Sequence, residues 1–439
     1  MKKVTFRGGI HPLHWMHAGK SATEAIPIRD FVPDMVRISM SCHLGTPSKP
    51  CVAVGDRVKI GQLIGEGDGP RGLTIHASVS GEVVSVERSQ QLSKDPAVCV
   101  TIQSDHKGEW IPLSGLGDVE TVPADQIIPA VRDAGVVGLS GASYPTHAKL
   151  SSSLGKVDVV LINGAECETF LTSDDRLMQE SPGRIVDGLR AVMRAMDIGQ
   201  GVIAIEDNKP AAIEAIRKAA QGRTGVSVVV MATKYPQGGK KQVIKAVLGR
   251  EVPVGGRPID ARVVILNVGS TAAIADAVIE GRPLVSRITT VTGAVVKPAN
   301  FRMPIGAILS EVIAECGGYI GEPGRIVFGG SMNGVSVPDD TVSTTTATNG
   351  IVVLTKKQLR DEAQQQCIRC SFCVHACPAG LQPFRLMELV DAGALDAAEK
   401  EHANECIVCN ACSYICPAKR WIAATIQKGK DQLWRRKSQ

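Results

Sequence analysis

The feature that most constrains the fold of this chain is a cysteine pattern that occurs twice near its C-terminal end. Cys-x2-Cys-x2-Cys-x3-Cys-Pro stands at residues 367–378 and again at residues 406–417. Three thiolates at this spacing on a tight loop can hold three corners of a cubane, and in two-cluster proteins the fourth cysteine of each run binds the other cluster. The two runs are therefore expected to fold against each other around two [4Fe–4S] clusters.

This pattern also predicts the ligands of each cluster. One cluster takes the first three cysteines of the first run and the last cysteine of the second, and the other takes the complementary set. The predicted ligand sets are Cys367, Cys370, Cys373 and Cys416 for one cluster, and Cys406, Cys409, Cys412 and Cys377 for the other. Two zinc sites are the alternative, but zinc commonly uses two Cys-x2-Cys pairs per ion, which is a different pattern.

The rest of the composition indicates the cellular compartment and bears on which classes of partner the chain can have. The other five of the 13 cysteines are scattered singly, which fits a reducing compartment better than a disulfide framework. With 49 basic and 44 acidic residues, the net charge of +5 gives no argument for a nucleic-acid partner. No apolar run approaches the roughly 18 residues of a membrane span, and residues 1–12 lack the apolar core of a secretory signal. We expect a cytoplasmic chain without a transmembrane segment.

A length of 439 residues suggests about three or four domains, and the first of them is predicted to be all-β. Residues 52–66 and 75–86 combine short β-branched runs with Gly-Asp or Ser-Gly turns, which is typical of a compact sandwich. The two half-patterns resemble the biotinyl/lipoyl barrel-sandwich fold. Carriers of that fold have a modified lysine between methionines at a hairpin tip, and residues 67–74 contain none. We therefore interpret this domain as structural or docking.

From about residue 120 buried strands alternate with amphipathic helices, which predicts an α/β layer fold. The predicted strands are residues 157–162, 202–205, 226–231 and 263–266, and the predicted helices include residues 183–197 and 209–221. Short strands and turns return at residues 281–333 and indicate a small α+β unit. After a strand at residues 351–354 the chain is predicted to be helical to its end. The predicted fold class is therefore multidomain α/β.

Three loops in the α/β part carry residues that suit a nucleotide. Residues 135–149 form a Gly-rich loop ending at Lys149, which can bring backbone N–H groups and a positive charge to a phosphate, although a plain connection is the alternative. The turn after the strand at residues 157–162 carries Glu166 and Glu168, at the strand end where α/β sheets bind ligands. A solvated acidic loop is the alternative there. Residues 234–241 add a second Gly-rich turn with clustered positive charge.

The order of these motifs resembles, from end to end, the RnfC family, the peripheral cytoplasmic C subunits of Rnf ion-translocating ferredoxin:NAD oxidoreductase complexes. The matching stretches are Phe6-Arg7-Gly8-Gly9-Ile10-His11-Pro12, both sandwich half-patterns, residues 138–149, 163–168, 171–174, 206–210 and 235–239, Asn267-Val268-Gly269, and both cysteine runs. The middle of the chain is also similar to the flavoprotein subunit of respiratory complex I, which binds FMN and NADH.

The resemblance implies a division into domains and a set of site residues. The implied domains are a barrel-sandwich hybrid at residues 1–115, a Rossmann-like α/β flavin domain at 120–275, an SLBB-like α+β domain at 280–335, a helical two-cluster ferredoxin-like domain at 355–425 and a basic tail at 426–439. It implies noncovalent FMN held by Gly138, Gly141, Lys149, Asn163, Glu166, Gly238 and Asn267. NADH would stack on the flavin between Tyr144 and Glu168, which are the implied catalytic residues.

The resemblance also implies a function. The chain would pass electrons between NAD(H), FMN and the two clusters as a peripheral subunit on the cytoplasmic face of the cell membrane, while the complex moves Na⁺ or H⁺. Its implied partners are NADH, the membrane subunits of the complex and, through the iron–sulfur subunit, ferredoxin. One alternative is a soluble relative of the same architecture, such as a cobalamin reductase or a proline-reductase electron carrier. Another is a cluster relay or scaffold whose nucleotide site has decayed.

The sequence departs from the family pattern at the expected nucleotide site. Ser140, Ser143 and Tyr144 stand where the family usually has Gly, Gly and Phe, Thr169 replaces a usual Pro, and Lys240 replaces a usual Glu. The serines reduce the freedom of the backbone, whereas Tyr144 keeps an aromatic face. Lys240 reverses a charge beside the expected cofactor. The changes at Ser143 and Lys240 motivate the alternative of a decayed site.

Overall fold

The computed structural model describes residues 3–12, 19–91, 96–359 and 363–437, and these residues form four sheets followed by a group of helices. The strands are β1 (Ile28–Asp30), β2 (Met35–Ser39), β3 (Lys49–Pro50), β4 (Arg57–Val58), β5 (Leu63–Glu66), β6 (Ile75–His76), β7 (Gly81–Ser89), β8 (Ala97–Ser104), β9 (Val159–Gly164), β10 (Gly201–Glu206), β11 (Val226–Met231), β12 (Val263–Asn267), β13 (Ser286–Gly293), β14 (Ala299–Pro304), β15 (Pro323–Phe328), β16 (Val335–Val337) and β17 (Gly350–Thr355). The helices are α1 (Ala124–Asp133), α2 (Thr146–Ser153), α3 (Ser173–Glu180), α4 (Pro182–Ala195), α5 (Pro210–Ala220), α6 (Lys240–Leu248), α7 (Val268–Glu280), α8 (Leu309–Glu315), α9 (Phe372–Ala376), α10 (Pro383–Asp391), α11 (Leu395–Lys400), α12 (Ala411–Tyr414) and α13 (Ile422–Lys437).

Two small antiparallel sheets form the N-terminal sandwich. Their strand orders are β2-β8-β7-β4 and β3-β5-β6. Along β7, Val83 is buried while its neighbours Glu82 and Val84 are exposed, so one face of the strand joins the sandwich core. The same core includes Val137 and Leu139 from the next segment of the chain, which seats the sandwich against the start of the α/β part.

The α/β part contains one parallel sheet in the order β11-β10-β9-β12. All four strands predicted from the sequence for this part are confirmed as β9 to β12, and the two predicted helices are confirmed as α4 and α5. The central strands are apolar on both faces, since α4 and α7 cover one side and α6 packs with the residues of the other. The carboxyl ends of the strands therefore open at one shared edge.

A six-stranded sheet collects strands from three distant parts of the chain. Its order is β1-β14-β13-β17-β15-β16, and β1 and β17 pair in parallel with β14 and β13 respectively. Both β1 and β17 lie outside residues 280–335, the range implied for the α+β domain. The sheet needs β17 because Ile351, Val352 and Val353 are fully buried between β13 and β15.

The C-terminal helices pack around the cysteine runs, and α13 corrects the expectation of a basic tail. Residues 422–437 form one helix, and the apolar side chains of Ile426 and Leu433 are buried in the core of this helical module. Gly429 permits a close crossing, because a Cβ there would lie 2.4 Å from Val390 of α10. The predicted tail therefore belongs to the helical module as far as residue 437, and Ser438 and Gln439 lie outside the described residues.

None of the helices in the described ranges combines the length and the apolar character that crossing a bilayer requires.

Candidate functional site

The predicted nucleotide residues lie along the carboxyl edge of the parallel sheet. Asn163 of β9 and Asn267, the last residue of β12, are direct neighbours in the strand register. Glu206 ends β10 on the other side of β9. Parallel α/β sheets bind ligands at this edge, because the strands end there and helix N-termini begin. The structure therefore brings the sequence-predicted Asn163 and Asn267 together.

Lys20 supports the turn that follows β9. Its Nζ atom donates to the carbonyl oxygens of Glu166 at 2.9 Å and Glu168 at 2.8 Å, and also to that of Leu171. Burial lowers the pKa of this lysine, and the charge of Glu166 opposes that shift. Lys20 was missed at the level of sequence, because nothing in its neighbourhood in the chain marks it as part of a site more than 140 residues away.

A second buried lysine, Lys209, supports the same turn. Lys209 Nζ donates to the carbonyl oxygen of Ala165 at 2.8 Å and lies 3.5 Å from the carboxylate of Glu206. Burial raises the pKa of Glu206 to about 7, while the nearby charge of Lys209 lowers it. Both residues lie in the matched stretch 206–210, so the family pattern carried a signal for them although no role was assigned.

Glu166 and Asn267 bind protein groups in this structure. The Glu166 carboxylate accepts hydrogen bonds from the backbone N–H groups of Asp174 at 2.7 Å and Asp175 at 3.1 Å, and thus caps α3. Asn267 accepts from the Gly269 N–H at 2.8 Å and donates to the Asp174 carboxylate at 2.6 Å. The geometry therefore gives both side chains a role in fixing the starts of α3 and α7, beside any cofactor at this edge.

Gly238 is bonded to the turn after β9 through two contacts. Its carbonyl oxygen accepts from Asn163 Nδ2 at 2.9 Å, and its N–H donates to the sulfur of Cys167 at 3.2 Å. A Cβ on Gly238 would lie 3.1 Å from that sulfur, so a side chain there would crowd the Cys167 thiol. Burial raises the pKa of the Cys167 thiol, which keeps it in the neutral form.

Lys149 is the residue best suited to an anionic group. Its Nζ atom donates only a long hydrogen bond of 3.3 Å to the carbonyl oxygen of Ile265 among the contacts of the described residues. Burial, together with a smaller effect of the charge of Lys240, lowers its pKa to about 8. A phosphate beside these two lysines would restore the stabilisation that burial removes. Lys240, the charge reversal noted in the sequence, therefore adds to the positive potential felt by Lys149.

The Gly-rich loop forms a tight turn. The N–H of Gly138 donates to the carbonyl oxygen of Tyr144 at 2.9 Å, and Gly141 at the tip has a φ of +84° with open space around it. Ser143, at a φ of +47°, is buried and accepts a hydrogen bond from the Thr346 hydroxyl at 2.8 Å. Ser143 thus gains a partner that offsets part of its backbone strain.

Glu168 and Tyr144, the implied catalytic pair, have different surroundings. The Glu168 carboxylate accepts from the Met332 N–H at 3.3 Å and from the Tyr235 hydroxyl at 3.5 Å. Burial raises its pKa to about 7, although these hydrogen bonds and Lys20 lower it. Tyr144 is partly exposed and lies in the turn closed by Gly138. Glu168 is hydrogen-bonded to the loop that carries Tyr235, whereas Tyr144 belongs to the Gly-rich turn.

Each predicted set of four cysteines lines its own cavity in the helical module. The distal site is the cavity lined by Cys367, Cys370, Cys373 and Cys416. The proximal site is the cavity lined by Cys377, Cys406, Cys409 and Cys412. Each cavity takes three cysteines from one run and the fourth from the other, which is the donor set that a cubane requires. The residues present therefore fit a [4Fe–4S] cluster at each site.

A single metal ion, unlike a cluster, would need three or more ligand side chains close around one point. Within the described ranges, no group of three or more His, Cys, Asp or Glu side chains is arranged to hold one metal ion. The fit of the cysteines to clusters rests on the two cavities and their cross-run donor sets.

The proximal site lies against the nucleotide edge. A buried apolar cluster contains Ile10, Tyr235, Met332, Ala376, Cys409 and Ala411, and Cys167 packs against it. Cys409 lines the proximal site, whereas Tyr235 and Cys167 belong to the loops that hold Gly238 and Glu168. The proximal site is thus the neighbour of the candidate nucleotide site.

Family models give the class of protein, one with an FMN-binding domain and an iron–sulfur domain. The Nuo51 FMN-binding domain matches residues 131–276, the RnfC barrel sandwich hybrid domain matches 4–107, the SLBB domain matches 288–336, and the 4Fe-4S dicluster domain matches 366–419. These matches confirm the predicted fold class. The chain therefore contains an FMN-binding domain and a 4Fe-4S dicluster domain.

Curated relatives give the particular family. The chain is 42% identical over 437 residues to the C subunit of the Na(+)-translocating ferredoxin:NAD(+) oxidoreductase complex of Acetobacterium woodii, covering 99% of this chain and 98% of that protein. It is 39% identical over 404 residues to the C subunit of the proton-translocating complex of Clostridium ljungdahlii, covering 91% of this chain and 87% of that one. The chain therefore belongs to the RnfC family, the C subunits of Rnf ion-translocating oxidoreductase complexes.

A solved structure supports the fold alone. A chain of an NAD+-reducing [NiFe]-hydrogenase in the H2-reduced state matches with a TM-score of 0.53 at 17% identity. The match covers 72% of this chain and 65% of that chain, just under two thirds of its length.

The cross-run lining of the cavities predicts which cluster each fourth cysteine serves. We expect Cys377→Ala to lose about half of the iron and to give the same EPR spectrum as Cys409→Ala, because both line the proximal site. Cys416→Ala should match Cys370→Ala instead. Cys51→Ala, an exposed cysteine of the sandwich, is the control and should keep all iron. A spectrum of Cys377→Ala that matches Cys370→Ala would contradict the assignment.

The raised pKa of Glu168 predicts a change of stability with pH. Its pKa rises from 4.5 to about 7 on folding, so between these values the folded chain binds more protons and its stability falls as pH increases. Above pH 7 the loss amounts to about 3 kcal/mol. We expect Glu168→Gln to remove that loss and to raise the thermal midpoint more at pH 8 than at pH 5.5. The exposed Glu87→Gln is the matched control, and equal shifts of both variants at both pH values would refute the prediction.

Proposed function

We propose that this chain transfers electrons between NAD(H) and a membrane-bound ion-translocating complex through FMN and two [4Fe–4S] clusters. The observation that carries the proposal is the contact between the proximal site and the nucleotide edge, through the apolar cluster of Tyr235, Cys409 and their neighbours. The names of the relatives support an ion-translocating ferredoxin:NAD oxidoreductase as the complex. On this proposal the chain acts at the cytoplasmic face of the membrane, and ferredoxin donates through another subunit.

The chain's own residues supply three parts of the proposed site. Lys149 and Lys240 provide positive charge for the phosphate of FMN. Gly138 and Gly141 leave the Gly-rich turn without side chains that would separate its backbone from the phosphate. Asn163 and Gly238 fix the two loops to each other at 2.9 Å, so the edge is formed before a ligand arrives. When bound, FMN can exchange a hydride with NAD and single electrons with iron–sulfur clusters.

Glu168 is proposed to hold a proton near the reacting part of the nucleotide. Its pKa of about 7 means that both protonation states are populated at neutral pH. Its hydrogen bonds to Met332 and Tyr235 fix the direction of the carboxyl group. Tyr144 offers a partly exposed aromatic face on the other side of the Gly-rich turn, which suits stacking with a planar ring.

The experiment that tests FMN binding compares substitutions of two lysines that are close in the sequence. We expect purified protein with intact clusters to bind FMN and to reduce a dye with NADH. Lys149→Met should weaken FMN binding about tenfold or more, because a charge-assisted hydrogen bond to a phosphate is lost. Lys156→Met, at an exposed position after the same helix, is the control. Flavin fluorescence titration measures both affinities.

Two outcomes would overturn this part of the proposal. Equal FMN affinities for the two variants would remove Lys149 from the site. Wild-type protein that carries full clusters but no flavin would favour the alternative of a cluster relay whose nucleotide site has decayed.

The partner subunit is proposed to dock at the rim of the distal site. The distal rim consists of Ile368, which lines the cavity, and of Phe372 and Trp421, which stand in the chain between lining residues; their exposed fractions are 68%, 51% and 65%. Cys370 of the same site is itself exposed. Large apolar side chains exposed together mark protein interaction sites. A redox partner seated there would reach the distal cluster, whereas the proximal site is covered by the nucleotide edge.

Trp421→Asp tests the distal rim. We expect it to lower ferredoxin-dependent NAD reduction by the assembled complex more than tenfold, because a buried tryptophan at an interface contributes about 2 kcal/mol or more. NADH-dependent dye reduction by the isolated subunit should stay unchanged. Val32→Asp, at an exposed valine outside the helical module, is the control and should assemble normally. Normal assembly and activity of Trp421→Asp would place the docking surface elsewhere.

A further inference from the structure

Of the first described segment of the chain, only Ile10, in the apolar cluster beside the proximal site, has been discussed so far. We call residues 4–10 the N-terminal strap. Val4 adds to the outer edge of the parallel sheet, where its N–H bonds to Val230 O at 3.3 Å and its carbonyl oxygen accepts from Ala232 N at 2.9 Å. The strap thus begins as a short extension of the sheet that carries the nucleotide edge.

The strap then follows the loop that leads to Gly238. Ile10 and Tyr235 exchange two backbone hydrogen bonds of 2.8 Å each. Lys234 Nζ donates to the carbonyl oxygen of Phe6 at 2.9 Å and lies 4.6 Å from the centre of its ring. These contacts fix the strap to the same loop whose Gly238 is bonded to Asn163.

The strap also contacts the first cysteine run directly. The Gly9 N–H donates to the carbonyl oxygen of Ala376 at 2.9 Å. Gly8 has a φ of +85°, and a Cβ at this position would lie 2.6 Å from the carbonyl oxygen of Cys377, one of the cysteines lining the proximal site. Gly8 therefore lets the strap backbone lie against the backbone of the cysteine loop, whereas a Cβ on Gly9 would lie 2.7 Å from the carbonyl oxygen of Tyr235.

Ile10 adds an apolar contact between the strap, the Tyr235 loop and the cysteine runs. It is buried in the apolar cluster that also contains Tyr235, Ala376 and Cys409. One segment of seven residues thus touches the nucleotide sheet, the Gly238 loop and the proximal site. The sheet and the helical module have separate hydrophobic cores, and such cores move relative to each other unless contacts, of which the strap supplies several, fix them.

The geometry points to the N-terminal strap as a positioning element that sets the separation between the nucleotide edge and the proximal cluster. This inference rests on the proposed function, because the separation matters only if electrons cross it. On that function, one electron lost by the reduced nucleotide-edge cofactor would be gained by the cluster that Cys377, Cys406, Cys409 and Cys412 would hold, with no proton or bond transferred. The strap residues touch neither cofactor atoms nor substrate, so they act through the loops they hold.

Gly8→Ala tests the inference, because its methyl group would push the strap away from Cys377. In the full-length protein with its clusters, we expect backbone amide exchange at Gly9, Ile10 and Tyr235 to become about tenfold faster. The EPR spectrum of the dithionite-reduced proximal cluster should change. In stopped-flow mixing with NADH, flavin bleaching should keep its rate while cluster bleaching slows about tenfold, as expected for a small misplacement of reacting groups.

Gly55→Ala is the matched control. Gly55 has a φ of +93°, so alanine suffers the same conformational strain, but a Cβ at this position of the sandwich would have nothing within 4 Å. It should leave amide exchange at the strap and cluster reduction unchanged. If Gly8→Ala does not fold, Ile10→Ala is measured in its place, since it shortens a buried strap side chain without a backbone clash.

The outcomes separate this inference from the proposed function. Unchanged amide exchange, EPR spectrum and cluster reduction rate in the folded strap variant would overturn the positioning role. A wild-type protein that takes up no FMN would overturn the proposed function, and amide exchange with dithionite-reduced EPR would still decide whether the strap holds the proximal site.

Discussion

The structure depends on the convergence of two cysteine runs on two shared cavities. Because each cavity takes its fourth cysteine from the other run, neither run can complete a site alone, and the helices between them must return to bring residues 377 and 416 across. The small helical module has an apolar core of its own, to which Leu386, Ile426 and Leu433 contribute. Clusters bound by these cavities would therefore couple their binding to the folding of this module, as is usual for small metal-binding domains.

At the nucleotide edge, the turn after β9 is fixed by buried charged side chains. Lys20 and Lys209 are removed from water, which is costly unless each ammonium group finds several acceptors. They find backbone carbonyl oxygens of the turn at residues 165–168, together with the Glu206 carboxylate for Lys209. The turn is thus fixed by groups that would be left unsatisfied if it moved. Its rigidity follows from the cost of exposing or orphaning those charges.

Features that are encoded locally could be predicted from the sequence. The cysteine spacing and the apolar strands β9 to β12 are periodic signals within short windows, so they predicted the cavities and the parallel sheet. The edge position of Asn163 and Asn267 followed from the family pattern. Lys20, the strap and the pairing of β1 with β14 could not be predicted, because each depends on a partner more than 140 residues away. Likewise, the basic residues after 425 suggested a separate tail. In that stretch Ile426 and Leu433, which are widely spaced among charged residues, pack α13 into the core of the helical module.

The two cluster sites differ in how firmly the rest of the chain holds them. The proximal site has three ties: Gly9 bonds to Ala376, Glu405 bonds to Lys241 and Gly255 at 2.7 Å each, and Asn410 donates to the Met332 carbonyl oxygen at 2.9 Å. These ties reach the strap, the parallel sheet domain and the loop after β15. A surface ion pair alone contributes little, but hydrogen bonds to three separate parts of the chain restrict the movement of the proximal site more than one contact would. The distal site keeps an exposed apolar rim instead. This asymmetry suits a relay whose inner step needs a fixed separation and whose outer step needs an accessible partner surface.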